Sequence, residues 1–190
     1  ASDVYKRQVV DPVMGDNGKP YSTYTPELIR RMKELVDAAD VITPNLTETC
    51  MLLGEECPPV MSVAQARSWL ARLSDKPGIV VIKGVPLIDD DGQKLSNVGF
   101  DRESGSFWRI DWDHIPVHYP GTGDIFTSVL TASLLKGESL PIALNRATTF
   151  TEIAVKTTYS YGTEPRLGVL FEDCLSWLMT NTVLCDYRKL

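Results

Sequence analysis

The chain has 190 residues, of which 43% are hydrophobic and 23% charged, so it can bury a core and is not predominantly disordered. Its 19 basic and 25 acidic residues give a net charge of −6, which argues against nucleic-acid binding as the main role. No apolar run approaches the ~18 residues that a membrane helix needs, and no segment has the pattern of a signal peptide. We therefore expect a cytoplasmic protein with reduced cysteines, which are Cys50, Cys57, Cys174 and Cys185.

The order of the predicted elements indicates an α/β fold. In the first half, apolar segments typical of buried strands alternate with amphipathic segments that begin at capping residues. The elements predicted there are a strand at 9–10, a helix from Thr25, a strand at 41–43, a helix from Asn45 to Gly54, a helix from Ser62 and a strand at 79–82. The second half predicts antiparallel strands at 87–89, 95–100 and 106–112, then helices at about 122–136, 139–159 and 171–179. This alternation predicts a layered α/β domain.

The first eight residues do not continue the pattern. Val9-Val10 leads directly into Asp11, as a buried strand does before a functional loop, but the preceding residues 6–8 are polar. We therefore expect residues 1–8 to be a non-native leader, and residues 9–190 to be the C-terminal part of a single domain.

The segment Gly121-Thr122-Gly123-Asp124 precedes an apolar helix. Glycines allow the backbone to approach a ligand closely, and the unpaired amides at a helix start attract an anion such as phosphate. The Asp124 carboxylate could accept a proton from a substrate hydroxyl that attacks phosphorus. The alternative is an ordinary loop in which Asp124 caps the helix.

Polar residues also follow three predicted strands. Asp11 opens a Gly-rich acidic loop at 11–19, Thr43 and Asn45 lead into a helix with Glu48, and Lys83 follows the apolar strand at 79–82. Ligands of open α/β sheets bind beyond the carboxyl ends of the strands. Carboxylates, a lysine and free amides at one edge are the groups that phosphoryl transfer with magnesium requires.

Each of these residues also has a simpler interpretation. Asp11 could belong to a turn with solvated acids, and Lys83 could be a solvated lysine at a strand end. Glu48 could bind a water held by a metal, or it could only complete a capping box with Asn45.

The motifs, taken in order, resemble those of the ribokinase superfamily and, within it, of the pyridoxal kinases. The resemblance is carried by Asp-Pro-Val-Met-Gly at 11–15, Thr-Pro-Asn-x-x-Glu at 43–48, Val-Ile-Lys at 81–83 and Gly-Thr-Gly-Asp at 121–124. In this superfamily, sugar kinases usually carry alanine in place of Thr122, and hydroxymethylpyrimidine kinases usually carry cysteine in place of Asp124. The continuation Asp-Asn-Gly-Lys-x-Tyr at 16–21 is also similar to bacterial pyridoxal kinases.

The resemblance implies a three-layer αβα domain with a mainly parallel central sheet, ATP as co-substrate, Mg²⁺, and a homodimer at full length. It implies that Asp124 is the base that contacts the acceptor hydroxyl, and that the amides of Gly121, Thr122 and Gly123 form the anion hole. It further implies two sets of residues around ATP. Asp11, Asn45 and Glu48 would line the magnesium and phosphate site, and Thr43 and Lys83 would touch ATP.

One departure concerns the start of the chain, because only ten residues precede Asp11 where family members have a long N-terminal part. That part holds the first strands of the sheet and most contacts to the vitamin. The expected function is phosphorylation of the 5′-hydroxymethyl group of pyridoxal, pyridoxine or pyridoxamine, with a chain that by itself could be inactive. The alternatives are a hydroxymethylpyrimidine or sugar kinase, and a non-catalytic fragment that at most binds nucleotide.

Overall fold

The computed structural model describes residues 7–180 and 186–190; residues 1–6 of the expected leader and Cys185 lie outside these ranges. The described strands form a seven-stranded sheet and a separate two-stranded hairpin. The strands are β1 (Val9–Val10), β2 (Gly15–Asp16), β3 (Lys19–Pro20), β4 (Val41–Ile42), β5 (Met61–Ser62), β6 (Ile79–Asp89), β7 (Gly92–Asp101), β8 (Ser106–Trp112) and β9 (Arg188–Lys189). The helices are α1 (Pro26–Asp37), α2 (Leu46–Leu53), α3 (Val63–Leu73), α4 (Thr122–Leu135), α5 (Leu140–Tyr161) and α6 (Leu175–Leu178).

The sheet has a parallel half and an antiparallel half. Strands β1, β4 and β6 are parallel neighbours, with Val9 opposite Val41 and Val41 opposite Ile79, and β5 runs parallel to the far end of β6. From β6 onward the order β6-β7-β8-β9 is antiparallel. Because β1 and β4 point the same way, the loops that follow them lie at the same edge of the sheet.

Two layers of helices cover the sheet, as the alternation of side chains along β6 shows. Val80 and Ile82 pack into a core with α1, α2 and α3, whereas Val81 points to the other face and packs with α4 and α5. Successive residues of a strand face opposite sides, so one buried apolar strand supplies both cores. The expected three-layer α/β class, with a central sheet flanked by helices, is confirmed.

The structure confirms the predicted helix starts. The side chains of Thr25, Asn45 and Ser62 each accept a hydrogen bond from a backbone amide in the first turn of the helix that follows. No helix in the described part of the chain has both the length and the apolar character that crossing a membrane would require.

Two predicted boundaries are wrong. The strand at 79–82 does not end before Lys83 but continues to Asp89, through an irregularity between Ile82 and Val85. The predicted helix at 171–179 is a 3₁₀ turn followed by the single turn α6. Within this segment Cys174 is buried, and Phe171, Trp177 and Leu178 are partly buried against the core formed by α4 and α5.

Candidate functional site

A cleft of about 1290 Å³ lies at the edge of the sheet where β1 and β4 end. Eight of the nine residues proposed from the sequence line it, namely Asp11, Asn45, Glu48, Lys83, Gly121, Thr122, Gly123 and Asp124. The ninth, Thr43, has a fully buried side chain. The fold therefore brings together four segments that are far apart in the sequence.

The centre of the cleft is an ion pair between Lys83 and Asp11. The Lys83 Nζ atom lies 2.7 Å and 3.0 Å from the two carboxylate oxygens of Asp11. Their side chains are only 14% and 13% exposed, respectively. The two alternatives in which Asp11 and Lys83 are merely solvated are therefore wrong.

A β-bulge explains how a lysine inside a strand reaches the cleft. The register of β6 against β7 shifts between Ile82 and Val85, and Gly84 has φ of +65°, which a residue with a side chain rarely adopts. The Gly84 amide donates to Asn97 Oδ1 at 2.9 Å, and Asn97 Nδ2 donates to Thr148 Oγ1 at 3.0 Å. Bulges change the direction in which a side chain points.

Thr43 holds Asp11 from behind rather than facing the cleft. Its hydroxyl donates to Asp11 Oδ1 at 2.9 Å and lies 2.9 Å from the hydroxyl of Thr127 on α4. This chain of hydrogen bonds connects the end of β4 with α4, the helix whose first turn is Gly121–Asp124. Neither Thr127 nor Asn97 was predicted from the sequence. Gly84 was a signal for the bulge that Asn97 supports, because a glycine within a strand pattern often marks a bulge.

Glu48 completes a capping box at the start of α2. Asn45 Oδ1 accepts the Glu48 amide at 2.8 Å, and Glu48 Oε2 accepts the Asn45 amide at 2.7 Å. The predicted capping box is therefore present, and Glu48 Oε1 also accepts the amide of Met14 at 3.2 Å. Burial raises the pKa of Glu48 to about 7, although the Asn45 amide and the Lys83 charge act in the opposite direction.

Gly121–Asp124 forms the first turn of α4 and faces the ion pair. Gly121 is the N-terminal cap with φ of +87°, and no side chain caps the helix. A Cβ atom on Gly123 would lie 3.2 Å from Lys83 Nζ and 3.9 Å from Asp11 Oδ2, so this backbone directly adjoins both charges. Asp124 is exposed, and within the described ranges its carboxylate has no hydrogen-bond or ion-pair partner; it does not cap the helix.

The cleft is strongly acidic. The pKa of Tyr21, another residue that lines it, is raised first by burial and then by four nearby carboxylates, those of Asp16, Glu48, Asp124 and Asp11. The arrangement thus offers free helix-terminal amides, one lysine and several carboxylates around one space, which are groups that can bind phosphates with a divalent cation.

Comparisons with known proteins identify a family. Residues 2–167 match the model of the phosphomethylpyrimidine kinase family. Two Bacillus subtilis proteins are each 31% identical to the chain. One is a hydroxymethylpyrimidine/phosphomethylpyrimidine kinase, and the match covers 83% of the chain and 56% of the relative's length. The other is a pyridoxine kinase, and the match covers 81% of the chain and 55% of the relative's length. A similar solved structure is that of a Bacteroides thetaiotaomicron protein, provisionally named a phosphomethylpyrimidine kinase and crystallised with pyridoxal. It is 40% identical to the chain with a TM-score of 0.89, and the match covers 96% of the chain and 64% of the Bacteroides chain.

The chain thus spans less than two thirds of the length of each of these three proteins. The match nevertheless covers most of the chain itself, including all four segments that form the cleft. The chain therefore belongs to the phosphomethylpyrimidine and pyridoxal kinase family of the ribokinase superfamily.

Proposed function

We propose that the protein carrying this chain transfers the γ-phosphoryl group of ATP to the 5′-hydroxymethyl group of a vitamin B6 compound. The observation that carries the proposal is the Asp124 carboxylate, which is exposed at the cleft, without a partner among the described residues, and next to the free amides of α4. A base for a substrate hydroxyl must be available in this way, because a carboxylate already bound by protein donors is a weaker proton acceptor.

In the proposed mechanism, Asp124 accepts the proton of the acceptor hydroxyl as its oxygen attacks the γ-phosphorus. The amides of Gly121, Thr122 and Gly123 stabilise the negative charge of the phosphoryl group, as preorganised donors do in an anion hole. Lys83 neutralises phosphate charge beside them, which requires that it exchange part of its ion pair with Asp11 for a phosphate oxygen. Thr43 acts through Asp11, since its own side chain is buried.

The cleft fits a magnesium ion that is held in part by ATP. In the parts of the chain that the structure describes, no three acidic, histidine or cysteine side chains form a complete metal site. Mg²⁺ usually takes one or two carboxylates together with substrate phosphates and water, and Asp11 would supply a carboxylate here. Glu48 would contribute through a bound water, with Asn45 beside it, since its oxygens already accept two backbone amides. The ion would neutralise phosphate charge.

Two observations support a B6 compound as the acceptor. Aspartate at position 124 differs from the cysteine that is usual in hydroxymethylpyrimidine kinases, and the similar Bacteroides structure contains pyridoxal. The second candidate is phosphorylation of hydroxymethylpyrimidine, which the family model and one Bacillus relative favour. The two acceptors share a hydroxymethyl group on an aromatic nitrogen heterocycle, so the same Asp124 chemistry serves both. A cytoplasmic homodimer belongs to the same proposal.

The test is an assay with ATP and Mg²⁺ in which pyridoxal and hydroxymethylpyrimidine compete, with both phosphorylated products quantified by mass spectrometry. We expect pyridoxal 5′-phosphate as the main product. Asp124→Asn should lower kcat by at least ~10²-fold, the usual contribution of a general base, whereas Asp90→Asn, at an exposed turn, should leave kcat unchanged. Preferred phosphorylation of hydroxymethylpyrimidine would select the second candidate, and an unaffected kcat in Asp124→Asn would remove Asp124 from the base role.

A further inference from the structure

The loop after α2 brings two cysteines together. Gly54 ends the helix in a left-handed conformation, with φ of 69°, and the amide of Glu55 donates to the Cys50 carbonyl at 2.9 Å. The chain therefore reverses immediately after the helix. Cys57 then lies against the face of α2 that carries Cys50, because its Sγ atom is 4.0 Å from the carbonyl oxygen of Leu46.

The two cysteines are neighbours at the same turn of α2. The carbonyl of Leu46 is also the one that accepts the Cys50 amide in a regular α-helix, so the Cys57 sulfur lies within one helical turn of Cys50. Burial raises the pKa of Cys50, and the neighbouring Cys57 side chain raises it further. A disulfide requires the sulfur atoms to approach to about 2 Å, which asks for a short movement of the loop that carries Cys57 toward the turn of α2 that carries Cys50.

The two thiols differ in access to solvent. Cys50 is buried, whereas Cys57 is exposed and lines the cleft described above. A small oxidant that enters the cleft therefore meets Cys57 rather than the buried Cys50. Both cysteines are free in the structure, so the pair is present in its reduced form.

We propose that Cys50 and Cys57 form an oxidisable thiol pair, which a peroxide converts into an intramolecular disulfide. The Cys57 sulfur attacks the peroxide, the O–O bond breaks, and Cys57 becomes a sulfenic acid with release of water when the oxidant is hydrogen peroxide. The Cys50 sulfur then displaces the sulfenic oxygen, which leaves as a second water with the proton from Cys50. Two thiols thus give two electrons and two protons to one peroxide, and a dithiol reductant reverses the change.

Cys174 offers a matched comparison. It is also free and buried, but its thiol donates to Thr157 Oγ1 at 3.5 Å and Leu170 O at 3.8 Å, both of which are oxygen acceptors. With a similar burial and no sulfur among those partners, Cys174 should remain a thiol under conditions that oxidise the pair.

The experiment treats the 190-residue chain with hydrogen peroxide, alkylates the remaining thiols after unfolding, and maps them by mass spectrometry. Both cysteines fall in one tryptic peptide, residues 34–67, and Glu55 and Glu56 lie between them. Cleavage after glutamate therefore separates the two halves unless a disulfide joins them. We expect the peptide to lose two hydrogen masses, to stay joined after this cleavage and to revert with dithiothreitol, while Cys174 remains alkylated.

The variant Cys57→Ser is the control, and the fold should tolerate it because Cys57 is exposed. In this variant Cys50 should stay fully alkylated after peroxide treatment, because its partner is gone. The proposal is overturned if Cys50 and Cys57 of the unsubstituted chain are alkylated separately after oxidation. It is also overturned if Cys57 proceeds to sulfinic acid while Cys50 stays reduced, or if Cys50 forms a disulfide with another cysteine in Cys57→Ser.

Discussion

Replacing Glu48 with glutamine should change how the stability of the protein depends on pH. The Glu48 side chain is 2% exposed, and its oxygens accept the amides of Asn45 and Met14. Glutamine has the same shape and can still accept one of these bonds, but it cannot ionise. The variant therefore removes the charge with little change in packing.

The magnitude follows from the pKa of Glu48, which burial raises from 4.5 to about 7. The folded protein keeps this proton up to about pH 7, whereas the unfolded chain releases it near pH 4.5. Because the folded state binds more protons in this window, the contribution of Glu48 is fully present below pH 4.5 and is lost as pH rises through 7. The loss amounts to about 3 kcal/mol, since each pKa unit corresponds to ~1.4 kcal/mol.

The measurement compares the free energy of unfolding in urea, followed by tryptophan fluorescence, at pH 5.5 and pH 8 for both proteins. Between these two values the unsubstituted protein should lose about 2 kcal/mol more than Glu48→Gln, because part of the loss has already occurred at pH 5.5; this corresponds to roughly 4–8 °C in melting temperature for a domain of this size. Glu103→Gln, at an exposed turn, is the matched control and should follow the unsubstituted protein.

A parallel pH dependence for Glu48→Gln and the unsubstituted protein would refute this reasoning. It would mean that Glu48 is already ionised at pH 5.5, so that the two amides and the Lys83 charge outweigh the cost of burial. A loss of stability in the variant that is the same at both pH values would instead measure only the weakened capping box, about 0.5–2 kcal/mol.

Two further substitutions test the geometry of the cleft. Gly123→Ala should weaken ATP binding, measured by calorimetry, because the added Cβ would press on Lys83 Nζ at 3.2 Å. The melting temperature of this variant should not fall, because alanine favours the helix. Gly121→Ala, at φ of +87°, should instead lower the melting temperature. Unchanged ATP affinity in Gly123→Ala would show that Lys83 moves aside freely. Lys83→Met should cost about 1–3 kcal/mol in urea unfolding because it leaves the Asp11 carboxylate without its cation, and an unchanged midpoint would contradict the role given to this ion pair.

The sequence alone determined those features whose partners are close along the chain. The helix starts at Thr25 and Ser62 and the capping box of Asn45 and Glu48 were predicted correctly, because donor and acceptor are three residues apart. The residues Asp11, Asn45, Lys83 and Gly121–Asp124 do line one cleft, as expected. For Asp11 and Asn45 the expected reason holds, since parallel strands carry their following loops to the same edge of a sheet.

Only the tertiary structure decided which of these residues touch. Lys83 and Asp11 are 72 residues apart, and Thr43 and Thr127 are 84 apart, so no local pattern could pair them. The sequence indicated a strand end at Lys83, but pairing with β7 extends the strand, and the bulge at Gly84 turns the lysine into the cleft. The pKa of Glu48 likewise follows from burial, which depends on how α2 packs against the rest of the fold. Such properties arise from contacts between distant segments, and topology, rather than local sequence, determines those contacts.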